Sequence, residues 1–341
     1  LAEQARILIT ASNQFYTIPQ LRLAELLIHN SCLNRVFFAN SGAEACEGAV
    51  KLARRYGKLH RDGAWQVITA QNSFHGRTLA MTAATGQKKF HDPYEPITPG
   101  FINVEFNSIE AIKNATTKET CAIMLEPVQG EGGVNIPADD YLRQVRAWCD
   151  EQNLLFIADE VQTGMGRLGA LFGYQLYGVE PDIMTLAKGL GGGVPISCFL
   201  AKEKASVFVP GEHGSTYGGN PLVCATAYAV VKYVLDHNIP AHVQRVGKHL
   251  MEKLSRLQRK YSFIKEVRGR GLLIAVEFDS DLTDRVMVAC NEGGLLLNNV
   301  KPNAVRFMPP LVLTEAEADS VVLLFDQALA RVSRELKSEK K

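Results

Sequence analysis

Nothing in this chain runs apolar for the ~18 residues that a membrane-spanning helix needs, and no charged-then-apolar leader opens it. An excess of one charge is lacking too. The 37 basic and 36 acidic side chains leave a formal net charge of +1, which gives no electrostatic case for nucleic acid or an anionic membrane as partner. The seven cysteines include no CxxC pair and no Cys/His spacing suited to a metal. They read as reduced thiols of a cytoplasmic protein with no metal centre. Internal repeats and low-complexity segments are absent as well.

What is there is an ordinary globular composition, 46% hydrophobic and 21% charged. A length of 341 residues suggests two domains. The chain opens on LAEQARILITASNQFY, which reads as the later part of a helix running into a loop, so an N-terminal portion is expected ahead of it. RVSRELKSEKK at the other end reads as a solvated helix end.

Strand and helix signals alternate over most of the length. RVFFA (35–39), QVITA (66–70), CAIMLEPV (121–128), LLFIA (154–158), DIMTLA (182–187) and ISCFLA (196–201) are short apolar, β-prone runs. AEACEGAVKLARRYGKLHR has helical spacing at Ala45, Ala49, Leu52, Ala53 and Tyr56, and DYLRQVRAWCDEQN reads as an amphipathic helix. The alternation predicts an α/β fold, a mostly parallel sheet with helices on both faces. From about residue 239 a long helix precedes IKEVRGRGLLIAVEF, GLLLNN, AVRFMPPLVL and a final helix. That pattern predicts a smaller α+β domain over 239–341 behind a large domain over 1–238.

Open α/β sheets bind ligands at the carboxyl ends of their strands, and polar residues collect at those ends here. RVFFA runs into NSGAEA, where the Ser41 hydroxyl and free N–H groups of an opening helix make an anion cradle. The same residues also suit a plain capped turn. QVITA runs into QNSFHGRT with Phe74, His75 and Arg77, LLFIA ends in Asp159, and DIMTLA leads to Lys188 ahead of GLGGG. A lysine at the end of an apolar strand is expected to be partly desolvated, which favours a nucleophilic amine. Snorkelling into solvent is the plainer fate of such a lysine. Pyridoxal phosphate needs these four things together: a lysine, a carboxylate opposite its ring nitrogen, a phosphate cradle and an aromatic ring.

NSGAEA, FHGRT, EPVQGEGGV, FIADEVQTGMGR, LAKGLGGGVPIS, GEHGSTYGGNP, VRGRGLL and VRFMPPLV resemble, in that order and across essentially the whole chain, the class III, fold-type I pyridoxal-phosphate aminotransferases. The resemblance implies that Lys188 is the Schiff-base lysine and proton carrier, and that Asp159 is the partner of the ring nitrogen. Gln162 is then expected near the cofactor's phenolic oxygen with Glu160 beside it, Val161 and Phe74 on the ring faces, and Ser41, Gly42 and Ala43 at the phosphate. Many relatives carry Thr at the place of Ala43, so one hydroxyl is lost here while the N–H survives. Thr216 is expected to reach the phosphate of the neighbouring subunit in a homodimer with shared sites, with Ser215 near the substrate.

For substrate, the resemblance places Arg77 on the carboxylate remote from the reacting amine and Arg306 on the α-carboxylate of 2-oxoglutarate or glutamate. Glu131 masks Arg306 in the other half-reaction. Tyr16, with Phe15, is expected to line the substrate tunnel, Asn298 and Asn299 to lie near its mouth, and His75 to be structural. The implied activity is transamination of N2-acetyl-L-ornithine with 2-oxoglutarate in arginine biosynthesis. Succinylornithine, ornithine or 4-aminobutyrate aminotransferases are the alternatives, and a pyridoxal-phosphate-binding protein without turnover is a remote one.

Overall fold

The computed structural model describes residues 1–339; Lys340 and Lys341, the last of the basic tail, lie outside them. Leu1–Pro127, Pro137–Met165 and Leu171–His237 form one compact unit. Val128–Ile136, Gly166–Ala170 and the chain from Asn238 onward form a second. The two loops group with the second unit because their hydrogen bonds run there: Arg268 donates to the Gly133 carbonyl and Gln244 to the Gly169 carbonyl.

In the first unit, β1 (Arg35–Ala39), β2 (Gln66–Ala70), β3 (Phe101–Val104), β4 (Thr120–Leu125), β5 (Leu155–Asp159), β6 (Ile183–Leu186) and β7 (Ser197–Ala201) form one sheet. Their order is β1-β7-β6-β5-β4-β2-β3. Only β7 runs against the rest, since it pairs antiparallel with both β1 and β6. The central strands are buried along their length, as expected when helices cover a parallel sheet. The edge strand β3 is the one the sequence pattern does not reveal: it is four residues long, three of them half-buried and only Val104 buried. CAIMLEPV proves to be strand only to Leu125, because Glu126 turns out of the ladder and Pro127 cannot donate to it.

The helix Gly42–His60 lies close on this sheet, and its small residues set the distance. A Cβ on Gly48 would meet the Phe199 ring at 2.3 Å, and one on Gly57 would meet the Ala64 carbonyl at 2.0 Å. Its buried stripe of Ala45, Cys46, Ala49, Val50, Leu52, Ala53 and Tyr56 follows the 3.6-residue period. Ser41 caps its start by accepting from the Glu44 N–H at 3.3 Å, while Glu44 Oε2 accepts from the Asn40 N–H at 2.8 Å.

The second unit carries a four-stranded antiparallel sheet, order β10-β11-β9-β8, from β8 (Ile264–Arg270), β9 (Leu273–Phe278), β10 (Asn298–Lys301) and β11 (Ala304–Phe307). The helices Ile239–Lys260, Thr283–Glu292 and Glu315–Glu339 accompany it. AVRFMPPLVL is strand only to Phe307, since Pro309 and Pro310 end the pairing. Among the described residues no helix is long and apolar enough to cross a membrane.

Candidate active site

Parallel strands put their carboxyl ends on one side, and the register places the polar residues there side by side. Asp159 pairs with Thr185 across β5 and β6. Lys188 lies two residues beyond β6, Asn40 and Ser41 just beyond β1, and the loop with Phe74 to Arg77 beyond β2. Together with Gly42, Ala43, Val161, Ala187 and Gly193 they line a cavity of about 510 Å³.

Asp159 is buried at one side of this cavity, and every contact of its carboxylate is a donor. Oδ1 accepts from the Val161 N–H and the Thr185 hydroxyl, each at 3.0 Å. Oδ2 accepts from His75 Nδ1 at 2.7 Å and the Cys46 thiol at 3.4 Å. Burial pushes this acid up, but the His75 hydrogen bond and charge, with the two Oδ1 donors, outweigh it and hold the group below the usual carboxylate range. His75, read from sequence as structural, is thus the nearest partner of Asp159.

Lys188 sits at φ 38°, the left-handed region that a non-glycine residue occupies only where its surroundings impose it. The partial desolvation expected of it is not found. Lys188 stands off β6 on the turn Lys188–Gly191, exposed, rather than among the strand's apolar neighbours. The N–H groups of Gly42 and Ala43 head the helix Gly42–His60, where the first turn leaves donors without an intrahelical acceptor and the dipole favours an anion. The Arg77 guanidinium lies over the Phe90 ring at 4.4 Å and the Phe74 ring at 5.6 Å, and no carboxylate among the described residues pairs with it.

Several expected residues do not come to this cavity. Glu160 points the other way, because neighbours at a strand end alternate in direction. Its Oε1 accepts from the Tyr174 N–H at 2.7 Å, and Oε2 from the Gly173 N–H at 2.8 Å and the Thr163 hydroxyl at 2.5 Å. It ties the loop after β5 rather than contributing to the cavity. Burial pushes its acid up to about 7, against those three hydrogen bonds. In Glu160→Gln, measured at pH 8, one backbone N–H must face an amide NH2. The expected loss is about 1–3 kcal/mol of stability, read as a lowered thermal midpoint of the apoprotein.

Gln162 is buried but does not line the cavity. Ser215, Thr216 and Tyr16 belong to a separate depression of about 1110 Å³, shared with Thr10 to Phe15 and His213. Ser215 Oγ accepts from Asn40 Nδ2 at 3.2 Å, so it touches a residue that lines the Lys188 cavity without lining it itself. Tyr16 is 87% exposed and lines that depression rather than the Lys188 cavity. Asn298 and Asn299 are exposed at the start of β10.

In the second unit Arg306, on β11, is buried and pairs through Nη1 with Glu131 Oε1 at 2.8 Å. The residues that sequence reasoning passed over are Cys46, Thr185 and Glu126. The last was visible in principle: it follows a strand as Asp159 ends one, and its Oε1 accepts the Phe74 N–H at 3.0 Å.

A buried, ionised carboxylate, a strained lysine and an anion cradle at the switch edge of an α/β sheet define an enzyme that works on a bound anionic group. The aminotransferase class-III family matches residues 1–329, and the chain belongs to that family. It is 49% identical over 333 residues to an acetylornithine aminotransferase of Caldanaerobacter subterraneus, covering 97% of this chain and 85% of the relative. It is 47% identical to one from Methanocaldococcus jannaschii, covering 98% and 84%. Among solved structures, the ornithine aminotransferase of Toxoplasma gondii ME49 superposes with a TM-score of 0.93 at 34% identity, over 98% of this chain and 82% of that one. An amine transaminase from an uncultivated Pseudomonas species, in a PLP-bound form, gives 0.90 at 29% identity, over 97% and 85%.

Proposed function

We propose that this aminotransferase moves the amino group at carbon 5 of N2-acetyl-L-ornithine to 2-oxoglutarate, in the cytoplasm and in the service of arginine biosynthesis. The products are N-acetyl-L-glutamate 5-semialdehyde and L-glutamate, and pyridoxal 5'-phosphate is the resident cofactor. The observation that carries the reading is the Arg306–Glu131 pair in a chain whose relatives bear that activity in their names. An arginine that a glutamate can cover suits an enzyme that takes an ω-amine in one half-reaction and an α-amino acid in the other.

The cavity fits the cofactor by the chemistry of its donors. Ser41 and the Gly42 and Ala43 N–H groups would hold the phosphate, and Phe74 and Val161 would lie against the ring. Asp159, kept ionised by its donors, would hold the ring nitrogen protonated. The fit also depends on glycine: a Cβ on Gly42 would strike Val161 at 2.9 Å, and one on Gly193, at φ +117°, would stand in open space on the cavity wall. When bound, pyridoxal phosphate supplies the aldehyde that carries the amino group and the ring that takes up the electron pair released at the substrate carbon.

The chain's own residues do the rest. Lys188 Nζ takes the proton from carbon 5 of the substrate and returns it in the transfer, the general-base role its place in the cavity allows. Arg77, with which no carboxylate among the described residues pairs, takes the substrate carboxylate remote from the reacting amine, and its planar fork fixes the orientation. Arg306 takes the α-carboxylate of 2-oxoglutarate once Glu131 gives way. Thr216 and Ser215 lie in a depression of their own, which supports a homodimer in which Thr216 of the partner subunit completes the phosphate site.

Visible absorbance of the protein loaded with pyridoxal phosphate tests the reading. N2-Acetylornithine should bleach the lysine-bound cofactor band, and 2-oxoglutarate should restore it. Faster bleaching by ornithine, succinylornithine or 4-aminobutyrate would move the substrate to that amine. A band that no amine bleaches would leave a cofactor-binding protein without turnover.

A further inference from the structure

Arg306 and Glu131 are each held in place by another arginine of the second unit, and those two arginines differ in their charge balance. Arg268 pins the loop that carries Glu131: its Nε and Nη2 donate to the Gly133 carbonyl at 3.2 and 2.6 Å, and its Nε to the Val134 carbonyl at 3.1 Å. Its charge is met by Glu266 and Glu277, both at 2.7 Å. Arg167 pins the strand end that carries Arg306. Its Nη1 donates to the Leu272 carbonyl at 3.0 Å and to the Pro309 carbonyl at 2.6 Å, while its own carbonyl accepts the Leu272 N–H at 3.0 Å. Leu272 precedes β9 and Pro309 follows β11, and Arg306 pairs with Ala275 between those strands.

Among the described residues nothing acidic answers Arg167. Its side-chain bonds go to carbonyls, and no carboxylate among the described residues lies in ion-pair reach. Gly271, at φ +57°, has no room for a Cβ, which would meet the Arg167 carbonyl and Leu168 at 2.6 Å, so the segment is locked against the turn before β9. Burial and the nearby charge of Arg306 push Arg167 down to about 10, so the two guanidiniums sense one another. With no acid of its own, Arg167 leaves its positive charge beside Arg306 when a substrate carboxylate takes the place of Glu131.

We propose that Arg167 is a positioning residue for Arg306: it fixes the strand end that carries Arg306 and supplies uncancelled positive charge that favours an incoming carboxylate. The proposal rests on the reading that Arg306 receives the α-carboxylate of 2-oxoglutarate, and it concerns that half-reaction above all.

The test uses the cofactor-loaded enzyme with Arg167→Gln, which removes the charge, and Arg167→Lys, which keeps it but bridges the two carbonyls less well. In Arg167→Gln the KM for 2-oxoglutarate should rise ~10-fold, while the single-turnover rate with N2-acetylornithine changes less than ~3-fold. Arg167→Lys should recover most of that KM. An unchanged KM, or equal slowing of both half-reactions, would overturn the proposal and leave Arg167 a structural tie. Should Arg167→Gln not be recovered folded, Arg167→Met, which also removes the charge, takes its place: a KM for 2-oxoglutarate raised ~10-fold with the amine step intact supports the proposal, and an unchanged KM or equal slowing of both half-reactions overturns it. If the unsubstituted enzyme fails to pass its amino group to 2-oxoglutarate at all, the reading of Arg306 fails instead, which the wild-type assay shows separately.

Discussion

Lys188→Ala is expected to cut transamination by at least ~10³-fold, the scale of the loss if Lys188 has its proposed roles of general base and point of cofactor attachment. The cofactor band at visible wavelengths should vanish with it. Stability should move little. Lys188 is exposed and holds no salt bridge among the described residues, so the folded state loses few contacts. Surface changes of that kind usually fall within about 0.5 kcal/mol. The left-handed φ of 38° adds a second arm to the test. Glycine adopts that conformation without strain, so Lys188→Gly should be as inactive as Lys188→Ala yet no less stable. Thermal melts of the two apoproteins, set beside the rates, separate chemistry from folding. Residual turnover above a hundredth of wild type in either variant would remove Lys188 from the role assigned to it.

Asp159→Asn should cost both activity and stability, because the carboxylate proposed to face the cofactor also accepts four donors of the fold. Asparagine keeps the shape but has one acceptor oxygen. Its NH2 must therefore face either the His75 and Cys46 donors or the Val161 and Thr185 donors, all of which Asp159 accepts now. An unpaired buried donor costs about 1–3 kcal/mol, and loss of the charge opposite the ring nitrogen is expected to lower kcat by ~10²–10³-fold. Affinity for pyridoxal phosphate should fall as well, which equilibrium dialysis reads without any turnover.

The lowered pKa of Asp159 also fixes the sign of a pH effect. A carboxyl group held below its ordinary value of 3.8 stabilises the fold fully above that value, and the contribution is lost as pH falls below it towards the native value. The stability gap between wild type and Asp159→Asn should therefore be widest above pH 3.8 and narrow as the solution becomes more acidic. A gap that stays constant across that range would mean that Asp159 does not owe its native place to its charge.

Sequence and structure contribute differently to this picture. Asp159, Lys188 and Ser41 were legible because each terminates a short apolar run, and in a parallel sheet such ends must meet on one side. Arg306 and Glu131 were legible only through their ordered motifs; their 2.8 Å ion pair joins positions 175 residues apart. Glu160 misled, since a strand turns successive side chains to opposite sides and composition does not say which one faces the cavity.

By itself the sequence determined the alternation of strand and helix and the principal ends of the strands, because these follow from local periodicity and from which residue types sit at each boundary. Only the tertiary structure decided the shell around Asp159. His75 comes from the loop after β2, Cys46 from the first turns of the helix Gly42–His60, and Thr185 from β6. Their meeting depends on sheet order and on how closely a glycine-bearing helix packs. Neither is written in any one segment, since hydrogen-bond partners across a fold are fixed by register and distance rather than by spacing along the chain.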